Sequence, residues 1–291
     1  MQIKLNLLVI GGDERNIEVV KQLKNIGINL QICGFEKVAN HMNVDHRKLS
    51  NVDYENLDAI LLPVSGTNDE GKIGLDPFSE NDLFVNKNMI QNTPDHCTIY
   101  TGISNTYLDQ LAQQTNRHLV CLFTRNDMAI LNSIPTAEGT LEIAIRETDT
   151  MIHGAKVLVL GFGRVGMTVA RLFSQVGACV GVSARQPADL ARSREMTLTP
   201  VNLKDLHNHI HHYDIIINTI PHQIIDDYIL SKVKTTALIV DLASAPGGVD
   251  FEAAQTKGIN TIHALGLPGK VAPKSAGKFI ADVLIDLLNE Q

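Results

Sequence analysis

Val157-Leu158-Val159-Leu160-Gly161-Phe162-Gly163-Arg164-Val165-Gly166 decides how this chain is read. Four apolar residues run straight into G-x-G-x-x-G, and a helix-like segment, Arg164–Val176, follows. That context, strand then glycine turn then helix, separates a dinucleotide fingerprint from incidental glycines. Gly161 permits the tight turn, Gly163 lets a pyrophosphate approach the backbone, and Gly166 lets the helix pack against its strand. N–H groups at the helix start, with the helix dipole, then hold the phosphates, which makes Arg164 and Val165 expected cofactor-binding residues.

The cofactor is read from the end of the next strand, Cys179–Ser183. An acidic side chain about 20 residues beyond the glycine turn usually binds the ribose 2′-hydroxyl of NAD. Here the chain reads Val182-Ser183-Ala184-Arg185-Gln186, with no carboxylate. Ser183 can donate to a 2′-phosphate and Arg185 can clamp it, so NADP is expected in preference to NAD. Later strands, Asp214–Asn218 and Ala237–Asp241, end in Thr219 and Pro221 and in Ala243 and Ser244. Carboxyl ends of this kind line a ligand crevice, with Thr219 and Pro221 toward the adenosine and Ala243 and Ser244 toward the nicotinamide ribose. A last short strand is read at Asn260–His263.

Outward from this unit the pattern repeats. Apolar runs at Leu5–Ile10, Ile28–Cys33, Leu57–Val64, Thr98–Thr101 and His118–Phe123 alternate with helix-like segments at Glu14–Ile26, Asp82–Gln91 and Ser104–Gln114. Near-continuous apolar strands between helices predict parallel sheets covered on both faces. The fold class expected is α/β: two Rossmann-like, doubly wound parallel-sheet domains with an interdomain cleft. Residues 1–130 form a flavodoxin- or Rossmann-like substrate domain. Residues 131–274 form the nucleotide domain, including a spacer helix over 136–152. A terminal helix over 275–291 packs back on the first domain.

Composition sets bounds on function. The 291 residues carry 25 Lys+Arg and 32 Asp+Glu, a formal charge of −7, and only 4% aromatics. Polyanion binding and base-stacking platforms are therefore not expected, nor is an anionic membrane surface. No apolar run approaches the roughly 18 residues of a membrane span, and no signal-peptide layout opens the chain. Cys33, Cys97, Cys121 and Cys179 form no CxxC pair and read as reduced thiols of a cytoplasmic protein. His207, His209, His211 and His212 lack metal-ligand spacing, and no metal is expected.

Three polar clusters face the substrate question. Ser65-Gly66-Thr67 leaves a buried strand and offers hydroxyls and N–H groups, a nest for a carboxylate; an ordinary strand-end turn fits the same residues. Asn132-Ser133-Ile134-Pro135-Thr136-Ala137-Glu138-Gly139 opens the spacer helix, where Ser133, Thr136 and helix-start N–H groups either bind a second carboxylate or cap the helix. Gly266-Leu267-Pro268-Gly269-Lys270 follows the last strand, with Lys270 as an anchor and Lys274 a weaker one. No residue identifies itself as a general base; Glu138 and His263 are the candidates. Arg125 reaches toward a carboxylate or serves the surface.

These motifs, in this order, resemble the dipicolinate synthase A-subunit family of spore-forming bacteria. The resemblance covers nearly the whole chain. It is carried by Gly11-Gly12-Asp13-Glu14-Arg15, Leu62-Pro63-Val64-Ser65-Gly66-Thr67 with Glu70-Gly71-Lys72, the Asn132–Gly139 segment and the Gly161–Gly166 turn. Asp241-Leu242-Ala243-Ser244-Ala245-Pro246-Gly247-Gly248-Val249-Asp250 and Leu267-Pro268-Gly269-Lys270-Val271-Ala272-Pro273 complete it. The resemblance implies oxidation of dihydrodipicolinate, or of 4-hydroxytetrahydrodipicolinate, to dipicolinate during sporulation. It implies a nicotinamide cofactor, the mother-cell cytoplasm and, as partner, a flavoprotein-like B subunit. Assembly into a homo-oligomer stays open. A different NADP-dependent imino- or amino-dicarboxylate dehydrogenase, and a regulatory subunit that binds NADP without turnover, are the alternatives.

Overall fold

A computed structural model describes residues 5–74 and 76–290. The chain divides into two compact units: unit 1 is 1–131 with 272–291, and unit 2 is 132–271.

Unit 1 alternates β1 (Asn6–Ile10), α1 (Glu14–Asn25), β2 (Asn29–Cys33), β3 (Asp45–His46), β4 (Ala59–Leu61), α2 (Lys87–Gln91), β5 (Thr98–Thr101), α3 (Thr106–Thr115) and β6 (His118–Cys121). Its strands are all parallel, in the order β3-β2-β1-β4-β5-β6. Side chains alternate across a strand, so β1 serves two cores. Leu7 and Val9 join one apolar cluster, and Leu8 and Ile10 join the other. All four are fully buried, each stabilising the sheet by about 1.5–3 kcal/mol.

The helix α4 (Asn126–Glu147) follows. The expected spacer helix over 136–152 begins ten residues too late, because Pro135 reads as a helix start. Pro135 instead lies inside the helix, where it removes the donor that would meet the Leu131 carbonyl.

Unit 2 continues with β7 (Lys156–Leu160), α5 (Arg164–Gln175), β8 (Cys179–Ala184), α6 (Pro187–Glu195), β9 (Thr199–Asn202), α7 (Leu206–His209), β10 (Ile215–Asn218), α8 (Asp227–Leu230), β11 (Leu238–Asp241), α9 (Phe251–Thr256), β12 (Asn260–His263) and α10 (Leu267–Val271). Its parallel order is β12-β11-β10-β7-β8-β9, the same winding as unit 1. Val157 and Val159 face one core, and Leu158 and Leu160 the other. The terminal helix α11 (Pro273–Asn289) returns to unit 1. It meets α1 at Gly277, where a Cβ would sit 2.4 Å from the Arg15 carbonyl oxygen. Only a glycine allows that approach.

No helix among the described residues is long and apolar enough to cross a membrane.

Candidate nucleotide and substrate sites

In both units the strand order reverses beside the first strand, and the crevice outside that switch point is where such sheets bind ligands. The two crevices begin alike. Gly11 N–H donates to the Cys33 carbonyl at 2.8 Å, and Gly161 N–H donates to the Ser183 carbonyl at 2.9 Å. Both glycines have positive φ, +61° and +91°. Beyond that point the two turns diverge.

In unit 2 the residue that caps α5 is Gly163, and a Cβ there would meet nothing within 4 Å. Space stands open in front of the helix N–H groups, as a pyrophosphate requires. Gly166 supports the turn, since a Cβ there would lie 2.2 Å from the Gly161 carbonyl oxygen. In unit 1 the equivalent cap is Asp13. Its carboxylate accepts the Arg15 N–H at 3.0 Å and pairs with the Arg15 guanidinium at 2.6 Å. A second carboxyl group, Asp76, lies over the same turn: its Oδ2 is 2.4 Å from where a Gly11 Cβ would be and 2.8 Å from that of Gly34. Leu83 covers Gly34 as well. Unit 1 thus fills its own crevice with two carboxyl groups and a leucine, while unit 2 keeps its crevice clear.

Burial raises the Asp76 carboxyl from 3.8 to about 6, against the pull of nearby backbone amides, and Glu36 adds to the rise. Burial also pushes the Cys33 thiol up to about 12, so it is no nucleophile at neutral pH.

A cavity of about 390 Å³ adjoins the glycine turn of unit 2. It is lined by Gly161 and Phe162, by Arg185, Gln186 and Asp189 after β8, by Leu203, and by Ile220 and Pro221 after β10. Arg185 is exposed and has no ion-pair partner among the described residues. Ser183 is fully buried and does not line the cavity, and its Oγ has no hydrogen-bond partner among the described residues. Arg185, with Gln186 beside it, brings a positive charge to the cavity lining. Strand ends in the sequence point to Arg185. Gln186, Asp189 and Leu203 carry no such signal, because what joins them is the fold of α6 and the loop after β9. Thr219 supports the turn from below, its hydroxyl donating to the Leu160 carbonyl at 2.8 Å. Ala243 is buried and Ser244 exposed on the loop after β11.

The substrate clusters differ from expectation in two respects. Gly66 N–H is already spent on the Pro63 carbonyl at 2.9 Å, so the Ser65-Gly66-Thr67 nest is not free. What the loop offers is Thr67, 7% exposed, whose Oγ1 has no hydrogen-bond partner among the described residues, and the exposed Ser65. Ser133 and Thr136 lie in the middle of α4, so no helix-start N–H groups surround them. Ser133 Oγ bonds Thr168 Oγ1 at 2.7 Å, and Thr136 Oγ1 donates to the Asn132 carbonyl at 2.8 Å. The same segment does supply an orphan, the buried Asn132 Oδ1. Buried polar atoms are nearly always bonded; among the unbonded ones of the described residues, those of Thr67, Asn132 and Ser183 lie in segments that stand out in the sequence, while Gln31 Oε1 and the Asp76 oxygens do not.

Gly139 joins two clusters, since a Cβ there would be 3.2 Å from Leu267 and Val271 side-chain atoms. A side chain at 139 would crowd Leu267 and Val271 of α10, the helix that also carries the exposed Lys270. Glu138 is exposed on α4. Arg125 is held by Asp127 at 2.7 Å. His263 Nε2 lies 3.1 Å from the Ala243 carbonyl oxygen. A carbonyl only accepts, so Nε2 carries the proton and Nδ1 is left as the acceptor. No group of three or more His, Cys, Asp or Glu among the described residues can hold a metal.

Sheet winding, glycine turn and cavity define unit 2 as the nucleotide domain of an NAD(P)-dependent oxidoreductase. Comparison with known proteins agrees. Residues 133–290 match the alanine dehydrogenase/PNT C-terminal domain, and residues 6–123 match the N-terminal domain of the dipicolinate synthase A subunit. The chain is 45% identical to the dipicolinate synthase A subunit of Bacillus subtilis (strain 168), over 98% of this chain and 96% of that one. It is also similar to the crystal structure of the dipicolinate synthase A subunit from Bacillus halodurans, with TM-score 0.96, 45% identity and 99% of each chain covered. A transhydrogenase from Sinorhizobium meliloti shares the fold at 16% identity, with TM-score 0.69 over 97% of this chain and 93% of that one. The chain belongs to the dipicolinate synthase A-subunit family.

Proposed function

We propose that this chain oxidises dihydrodipicolinate to dipicolinate with NADP. A 4-hydroxytetrahydrodipicolinate serves as substrate after loss of water. The observation that carries the cofactor reading is the open Gly163 turn beside a cavity lined by Arg185, which has no ion-pair partner among the described residues. The similarity to dipicolinate synthase A subunits over 98% of the chain supports the substrate.

NADP, when bound, supplies the hydride acceptor. The chain's own residues do the rest. The α5 N–H groups, with Arg164 and Val165 in the first turn, hold the pyrophosphate, and Arg185 pairs with the 2′-phosphate. Thr67 and Ser65 of unit 1 and, separately, Lys270 of unit 2 are each proposed as carboxylate-binding groups, with Ser133 and Thr136 setting the face of α4 near Asn132. His263 Nδ1 is favoured over Glu138 as the proton acceptor, because its hydrogen bond to Ala243 fixes the basic tautomer. Ring oxidation yields an aromatic pyridine, so the demand on that base is small and orientation carries more of the rate. The reaction belongs to the mother-cell cytoplasm of a sporulating bacterium. There the chain works with a B subunit, and copies of the chain can also assemble.

Incubating the purified chain with NADP and dihydrodipicolinate tests the proposal. Growth of pyridine absorbance supports it. No pyridine, with turnover of another imino- or amino-dicarboxylate, replaces it.

A further inference from the structure

Asn218 and Asp241 end adjacent parallel strands, β10 and β11, directly opposite one another in the register. Both are 0% exposed. Polar side chains this deep are costly unless every group is bonded, and here nearly every bond goes to one of two loops. Asn218 Nδ2 donates to Asp241 Oδ1 at 2.8 Å and to the Ile220 carbonyl at 3.0 Å, and its Oδ1 accepts the Ile220 N–H at 3.1 Å. Asp241 Oδ1 also accepts the Ala243 N–H at 3.1 Å, and Oδ2 accepts the Gly248 N–H at 2.7 Å. The second loop is shaped to close over the pair. A Cβ on Gly248 would fall 2.1 Å from Asn218 Nδ2, and one on Gly247 (φ +89°) 2.9 Å from Asp241 Oδ2.

The first loop, through Ile220 and Pro221, lines the cavity that also holds Arg185. The second, from Leu242 to Val249, lies one strand farther from that cavity along the sheet. A dinucleotide crosses the switch point, so with its adenosine near β8 its other half extends toward β10 and β11.

We propose that Asn218 and Asp241 are positioning residues that lock the two loops of the nucleotide site together, Asp241 setting the loop that receives the nicotinamide half. This rests on the assignment of unit 2 as the NADP site. The pair touches no cofactor atom itself; it works through the backbone of Ile220, Ala243 and Gly248.

The test compares two ligands on the full chain: NADPH, and 2′,5′-ADP, which lacks the nicotinamide half. In Asp241→Asn one acceptor oxygen becomes an N–H₂ donor, so at least one of the Ala243 and Gly248 amides loses its partner. We expect D241N to weaken NADPH by roughly tenfold or more and 2′,5′-ADP by less than about twofold. Asn218→Ala releases Ile220 as well and is expected to weaken both. Gly247→Ala strains only the second loop; it should reproduce the D241N pattern and serves if D241N fails to fold. A role confined to general stability would lower both affinities together. Equal losses for the two ligands in D241N or G247A, or no loss in either, overturn the proposal. A wild-type chain that binds neither NADPH nor NADH overturns the cofactor assignment, and the pair's role with it. Wild-type binding of both NADPH and 2′,5′-ADP keeps the two questions apart.

Discussion

Replacing Arg185 with alanine tests the choice of cofactor. Arg185 stands exposed at the mouth of the 390 Å³ cavity, with no carboxylate pairing it among the described residues. NADP differs from NAD by a 2′-phosphate of about two negative charges. A guanidinium about 4 Å from one such charge gains about 4 kcal/mol at an effective dielectric constant of about 20. Salt and the open mouth of the site screen part of that. What remains is a hydrogen bond to a charged group, about 1.5–3 kcal/mol, or roughly 10- to 150-fold in affinity. R185A should therefore raise the NADP dissociation constant by that factor and change that of NAD by less than about twofold. Arg185→Lys, a point charge without the planar fork, should fall between. Titration calorimetry with both dinucleotides reads the result. Equal weakening of NADP and NAD in R185A would refute the reasoning, because Arg185 would then be touching something the two cofactors share.

Other predictions address the rest of the molecule. Gly163→Asp gives unit 2 the cap that unit 1 has in Asp13. It should abolish dinucleotide binding while keeping or slightly raising Tm, since Asp caps a helix better than Gly by a few tenths of a kcal/mol; one nucleotide still bound per chain would show that unit 1 takes it. Asp76→Asn probes the carboxyl that burial lifts from 3.8 to about 6. The folded chain holds this proton more tightly than the unfolded chain, so the stability it adds is full below about pH 4 and is lost as pH rises through about 6. D76N should thus be the more stable protein at pH 8, and the gap in urea midpoints should close toward pH 4; a constant gap contradicts the assignment. Thr67→Val removes a buried hydroxyl that has no partner among the described residues. Its stability should hold or improve while the KM for the dicarboxylate rises, and an unchanged KM would take Thr67 out of the substrate site.

The long central strands were legible because parallel strands buried on both faces are near-continuous apolar runs, as in Leu158–Leu160 and Ile215–Ile217. Two of the four edge strands, β3 and β9, were not. Asp45–His46 is only two residues long, and Thr199–Asn202 contains Pro200, a residue that a strand tolerates only at a sheet edge. Pro135 misplaced the start of α4, since proline marks a first turn more often than a helix interior. In the candidate site, Gly161, Gly163 and Arg185 announce themselves through spacing. Ser183 did not reveal its burial, because that depends on what packs over the end of β8. The closure of unit 1 was also hidden. Gly11-Gly12-Asp13 reads only as an opening turn, and the folded segment carrying Asp76 and Leu83 shows the crevice filled. The Asn218–Asp241 pair was half visible, as two polar residues ending apolar strands, but its bonds to Ile220, Ala243 and Gly248 belong to the tertiary structure.

Whether this chain itself moves a hydride from a cyclic dicarboxylate to NADP is measured most directly by following NADPH and dipicolinate together. The mixture holds the purified chain, NADP and dihydrodipicolinate, with no other protein present. One NADPH formed per dipicolinate, lost in G163D, is the result predicted. NADP binding with dihydrodipicolinate present and no NADPH formed, with or without an added B subunit, would contradict it.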